Sequence, residues 1–154
     1  MGVMDPRPTA VIVAVDGALP VGSALREPRR RHGRQPVPAP DSRVLKLIRL
    51  ERALGHKVFI LTSAPERFRS GLRAWLRRLG LESDGILMRA DGEGCPDATL
   101  KTAMAAAVMR SHHVVHAYDD QADAVTAYTH LGLDATRCTP AAHKRVPAPA
   151  TTGR

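Results

Sequence analysis

Asp16, Thr62, Arg89 and the Asp119-Asp120 pair share one kind of position. Each follows directly on a short apolar run: "AVIVAV", "KVFIL", "GILM" and "HVVHAY" in turn. Carboxylates gathered this way hold a hard cation such as Mg2+, which takes oxygen ligands and keeps some of its waters. A hydroxyl, together with the free amides at the start of a following helix, binds phosphate oxygens. A lysine neutralises the charge that develops on a transferring phosphoryl group, and Lys101 is placed to reach the same edge. Three acids, a hydroxyl and a lysine of this kind point to phosphate chemistry.

For these residues to meet, the apolar runs must be strands of one sheet. Strands are expected over 10–15, 57–61, 85–88, 113–118 and 135–138. Between them lie helical patterns. Asp41 and Ser42 are N-cap types for a helix reaching Leu54, with Val44, Leu47, Ile48 and Leu54 on one face and Gly55 at its end. In "TSAPERF", Ser63 and Glu66 have capping-box spacing and Pro65 suits a first turn. The helix expected there turns Phe68, Leu72, Trp75, Leu76 and Leu79 inward, with Arg69, Arg73 and Arg77 on another face. Two more helices are expected over 96–109 and 121–131, the first with Leu100, Met104, Ala107 and Val108 as its stripe. Strands alternating with helices give an α/β domain with a parallel sheet of about five strands and right-handed crossovers. In such sheets the site lies outside the carboxyl ends of the strands.

The chain of 154 residues suits one domain, read as a flexible N-terminus over 1–9, a domain over 10–138 and a disordered tail over 139–154. Only 3% of residues are aromatic, so the core must be aliphatic, with Trp75 as a single large contribution. A formal charge of +8 favours polyanionic partners such as nucleic acid. The basic, Pro-rich segment 23–40 carries five Arg against one Glu and reads as a loop or flap. Its stretch from Arg26 to Arg34 and the Arg69-Arg73-Arg77 face are the expected phosphate contacts. Few aromatics are available to stack bases, which argues against sequence-specific single-strand recognition. The longest apolar run, Ala10–Val15, is too short to span a bilayer. No secretory leader pattern opens the chain, and Cys95 and Cys138 form no C-x-x-C pair, so a reduced, cytoplasmic setting is expected. His113 and His116 are an odd number of residues apart in a strand, which puts them on opposite faces and argues against a histidine metal cluster.

Four stretches in order carry a further signal: "VIVAVDGAL", "VFILTSAPERF", "LMRADGEGCPDATLK" and "VVHAYDDQADAVTAYTHLGL". Together they resemble the four motifs of the haloacid dehalogenase (HAD) superfamily of phosphotransferases. More narrowly, they resemble the 3′-phosphatase domain of phage-type polynucleotide kinases. The resemblance spans residues 10 to about 138. It implies a three-layer HAD-like Rossmannoid fold with a minimal cap, and a Mg2+-dependent phosphomonoester hydrolase if the chain is active. It implies Asp16 as general acid, Thr62 and Lys101 as phosphate-binding residues, Asp97 as the group orienting the lysine, and Arg89 as a supporting residue. Asp120, with Asp119 beside it and Asp16 across the site, would hold the metal. The chain has no G-x-x-x-x-G-K-[ST] loop, so no kinase site is expected in it.

Two departures from the family pattern bear on activity. The first Asp of D-x-D, the nucleophile and a metal ligand in the family, is Ala14 here, which can do neither. The subfamily arginine after the second motif is Ala64. The leading expectation is a catalytically impaired relative of the polynucleotide 3′-phosphatases that keeps a pocket for a phosphorylated ligand. An alternative alignment makes Asp16 the nucleophile of an active phosphatase. A third reading is a basic nucleic-acid-binding accessory module with a vestigial pocket.

Overall fold

In the computed structural model, residues 5–15 and 42–138 are described, with the side chain of Ser42 excepted. Asp16, Gly17, the segment 23–40, the Asp41 and Ser42 cap and the tail 139–154 lie outside what is described, as does the expected cap. The elements in order are β1 (Thr9–Ala14), α1 (Ser42–Ala53), β2 (Lys57–Pro65), a 3-10 turn (Glu66–Phe68), α2 (Arg69–Arg78), β3 (Gly85–Arg89), α3 (Asp97–Met109), β4 (His113–Asp119), α4 (Ala122–His130) and β5 (Ala135–Arg137).

The five strands form one parallel sheet in the order β3-β2-β1-β4-β5. On one face Val11, Val13, Val58 and Ile60 pack with Val44 and Ile48 of α1 and Leu72, Trp75 and Leu76 of α2. On the other, Ala10, Ile12, Leu61 and Ala117 pack with Met104, Ala105 and Val108 of α3 and Ala124 and Tyr128 of α4. The result is the three-layer α/β/α arrangement expected. β1 is buried on both faces from Ala10 onward, which is why its sequence is an unbroken apolar run rather than an alternation.

Several local expectations are corrected. Ser63 and Pro65 do not cap a helix. β2 runs on to Pro65, which has extended dihedrals and pairs with Arg89 past a register shift. The α-helix starts only at Arg69, and Glu66 turns forward to pair with Arg69 rather than back to Ser63. On α1, Leu54 is 63% exposed, and Glu51 occupies the inward position instead. Helical spacing explains this, because 44, 48 and 51 share a stripe and 54 falls off it. Glu51 is tolerated there because the Tyr118 hydroxyl donates to its Oε1 at 2.6 Å. The α2 terminus meets expectation. Gly80, at φ +65°, lets its amide reach Arg77 O and the Leu81 amide reach Leu76 O, the paired bonds of a Schellman motif.

In β4 a register shift against β1 alters a face assignment. His113 pairs with Thr9 and His116 with Val11, and those two β1 residues share a face. The histidines therefore lie on one side of the sheet, not on opposite sides. They still do not converge on a metal: His113 faces Asp5, and His116 is held by Asp134 and Thr136.

Candidate functional site

The strand order reverses about β1, whose neighbours are β2 and β4. An open parallel sheet leaves a crevice at the carboxyl ends of such strands. Ala14 ends β1 there and is 1% exposed. It pairs in register with Leu61 of β2, and Val13 pairs with Tyr118 of β4. One step further along the same register, Asp119 stands beside Ala14, on the face covered by α3 and α4.

Asp119 and Lys101 are both fully buried and form an ion pair, with Lys101 Nζ 3.0 Å from Oδ2 and 3.2 Å from Oδ1. The Tyr128 hydroxyl donates to Oδ2 at 3.1 Å, and the Gln121 amide donates to Oδ1 at 3.0 Å. Lys101 lies between the two carboxylate oxygens, and each oxygen has one further donor. Asp119 is an anchor for the lysine and for the start of α4. Lys101 belongs to the inward stripe of α3 with Met104, Ala105 and Val108, so a charged residue sits where an apolar one was expected. Asp119 is what makes that position habitable, because a buried charge requires a paired, hydrogen-bonded partner.

Asp97, expected to orient the lysine, instead accepts from Arg89 at 2.6 Å. Arg89 ends β3 and is the hub of the neighbouring loops. Its guanidinium also donates to the carbonyls of Ser63, Glu93 and Cys95. It therefore ties the strand carrying Thr62 to the turn leading into α3, which carries Lys101. Thr62 is fully buried at the end of β2, and its Oγ1 accepts from the Ala64 amide at 3.0 Å. Ala64, at the family's arginine position, packs against the core and carries no charge to the site.

Among the described residues, Asp120 has an oxygen open to a cation. Its Oδ1 is buried and has no hydrogen-bond partner among the described residues. Burial first, and then the neighbouring Asp119 carboxylate, push the Asp120 carboxyl above its ordinary value, while Lys101 pulls the other way. An orphaned buried carboxylate oxygen is costly, and a Mg2+ ion bound through one or two carboxylates, waters and phosphate oxygens would satisfy it. The donor set fits that ion at Asp120. Among the described residues no three acids, histidines or cysteines converge on a metal.

The raised Asp120 value carries a sign. A carboxyl with a raised folded-state value stabilises the fold below its unfolded value, and that contribution is lost as pH rises through the raised value. Asp120→Asn is neutral at every pH. In chelator at pH 7.5 it is expected to melt above the unsubstituted chain, with the gap closing near pH 4. Thermal melts at the two pH values check this, and a lower melting temperature for the variant at pH 7.5 would contradict it.

Tyr128 escaped the sequence reading. Its signal was a polar aromatic four residues after Ala124 on the inward stripe of α4, where a hydroxyl must find a buried partner. The sequence alone did not identify Asp119 as that partner.

A parallel three-layer fold with an acid pair, a threonine and a lysine at its strand ends defines a HAD-like α/β protein. The family described as "Polynucleotide kinase PNKP phosphatase domain" matches residues 8–143. The chain belongs to that family. Its fold is similar to a chain in a solved structure of the Pnkp1/Rnl/Hen1 RNA repair complex, with TM-score 0.70 and 21% identity over 90% of this chain and 45% of that one. A second structure, of the Pnkp1/Rnl/Hen1 complex, gives TM-score 0.69 and 19% identity over 88% and 47%. The chain thus spans a little under half the length of each of those relatives. No curated protein matches it. No helix among the described residues is long and apolar enough to cross a membrane.

Proposed function

We propose that this protein binds the terminal phosphate of a phosphorylated ligand, a polynucleotide 3′-phosphate in particular, and does not hydrolyse it. One observation carries the reading. Ala14 closes β1 beside the Lys101–Asp119 pair, at the position where the family pattern requires the attacking carboxylate. A methyl group can neither attack phosphorus nor ligate a metal. The remaining parts suit binding. The Thr62 hydroxyl is oriented by the Ala64 amide, and Lys101 would supply positive charge from its place against Asp119. Arg89 fixes the two segments that carry them. Mg2+, when bound, would neutralise phosphate charge at the Asp120 side of the site.

The test is phosphate release from an aryl phosphate and from a 3′-phosphorylated oligonucleotide in Mg2+, alongside binding of 3′-phosphorylated and 3′-hydroxyl strands. The expected result is no release above buffer. The 3′-phosphate should bind about tenfold more tightly, as charge-assisted hydrogen bonds of about 1.5–3 kcal/mol allow, and Thr62→Val should erase that preference. Robust turnover abolished by Asp16→Asn would overturn the proposal in favour of Asp16 as nucleophile.

A further inference from the structure

We infer that the outer face of α2 forms, with the start of β3, a groove that holds a nucleic-acid strand by its phosphodiester backbone, separately from any terminal-phosphate pocket. The groove encloses about 1050 Å3, and five arginines line it: Arg52, Arg67, Arg69, Arg73 and Arg77. Three are already engaged. Arg52 pairs with Asp84 at 2.9 Å and Glu82 at 3.4 Å, and Arg67 with Asp91 at 3.5 Å. Arg69 pairs with Glu66 and donates to Ile86 O. Arg73 and Arg77 are exposed, and their guanidinium groups make no hydrogen bond or ion pair among the described residues.

Helix geometry sets these two cations about 6 Å apart along the axis, on the same side. They cannot turn inward, because the buried Leu72, Trp75 and Leu76 fill the core side of α2, with Leu76 reaching the floor of the groove. Burial of that apolar stripe thus fixes a stripe of permanent positive charge facing out. The groove opens at Glu66–Arg67, four to five residues after Thr62, and reaches Ser83–Gly85 at the far end of β3. It follows the length of α2 rather than the strand ends alone.

The chemistry selects the occupant. Five arginines against Glu66, Glu82 and Asp84 leave the lining net positive, and a concave positive groove fits a phosphate chain better than a flat bilayer. The edge of β3 is an unsuitable site for adding a peptide strand, since Arg69 already takes the Ile86 carbonyl. No aromatic side chain lines the groove, so bases have nothing to stack on and binding is independent of sequence. Ser70 and Ser83 add hydroxyl donors of the kind that contact phosphate oxygens.

The test is anisotropy with the full chain and a labelled single strand ending in a 3′-hydroxyl, so that no terminal phosphate contributes. Arg73→Ala with Arg77→Ala is expected to weaken binding at least about tenfold at 0.1 M salt and to flatten the salt slope by about 1.4. Arg110→Ala, an exposed arginine at the end of α3, should leave both unchanged. The probe's 3′-hydroxyl end separates failure of this groove from failure of the terminal-phosphate reading. Circular dichroism melts confirm that the variants fold, and Arg73→Lys with Arg77→Lys should stay within about threefold of the parent. Unaltered affinity and slope in the double-alanine chain would overturn the inference. So would polyglutamate or anionic vesicles binding more tightly than the oligonucleotide through the same two residues.

Discussion

Ala14→Asp is expected to give the chain a Mg2+-dependent phosphatase activity at least about a hundredfold above the unsubstituted protein. Loss of a nucleophile alone removes several orders of magnitude in enzymes where it has been measured. Restoring one to an otherwise intact site should recover a good part of that. The substituted side chain would stand at the end of β1, between Leu61 and Asp119, with the buried Lys101 ammonium beside it. Asp120 would bring its unpartnered oxygen to the metal side. Adding Ala64→Arg should raise activity further, mainly through a lower KM, because a guanidinium there binds phosphate in substrate and transition state alike. Adding Asp16→Asn should return the chain to background. Steady-state release of phosphate from an aryl phosphate reads all three. A folded Ala14→Asp chain with no turnover would mean that more than the nucleophile has been lost.

Lys101→Met should be the most destabilising conservative-volume change in the described core. It leaves Asp119 ionised, fully buried and without its ion-pair partner. Breaking a buried pair by removing one member costs about 3–5 kcal/mol. In a domain of this size that is a fall of roughly 10 °C in melting temperature. Asp119→Asn in the Lys101→Met background should recover part of the loss. It removes the stranded charge and keeps one acceptor oxygen, enough for either the Tyr128 hydroxyl or the Gln121 amide but not both, so the recovery is partial. Thermal and urea unfolding of the two chains check the order. Equal stability of Lys101→Met and the parent would show that the pair contributes nothing to the fold.

These two expectations concern neighbouring atoms and opposite tasks. The Lys101–Asp119 pair closes the core between α3, α4 and β4. On the proposed reading, a chain without the nucleophile still needs the lysine in order to fold, which would retain that pair beside Ala14.

Much of the fold was legible because the strands are buried on both faces. "AVIVAV" is an unbroken apolar run, and "KVFIL" and "HVVHAY" are apolar enough to mark strands, each followed by a polar residue. Alternation with helical patterns then left a parallel sheet as the consistent arrangement, and the strand ends as its site. The sequence by itself determined that Thr62, Arg89 and Asp119 stand toward the ends of their strands, and that position 14 carries no carboxylate. Partner choice was not legible, because it depends on contacts between elements distant in the chain. Asp97 lies four residues before Lys101 yet binds Arg89, while Lys101 binds Asp119 eighteen residues on. The histidine faces were misjudged because a register shift between β1 and β4 breaks the period of two. The capping pattern at Ser63 and Glu66 yielded to the sheet, where Pro65 pairs with Arg89 and postpones the helix. Local patterns decide where polar groups stand along an element. Only the tertiary structure decides which of them neutralise one another, because a buried charge takes whatever partner the packing brings within reach.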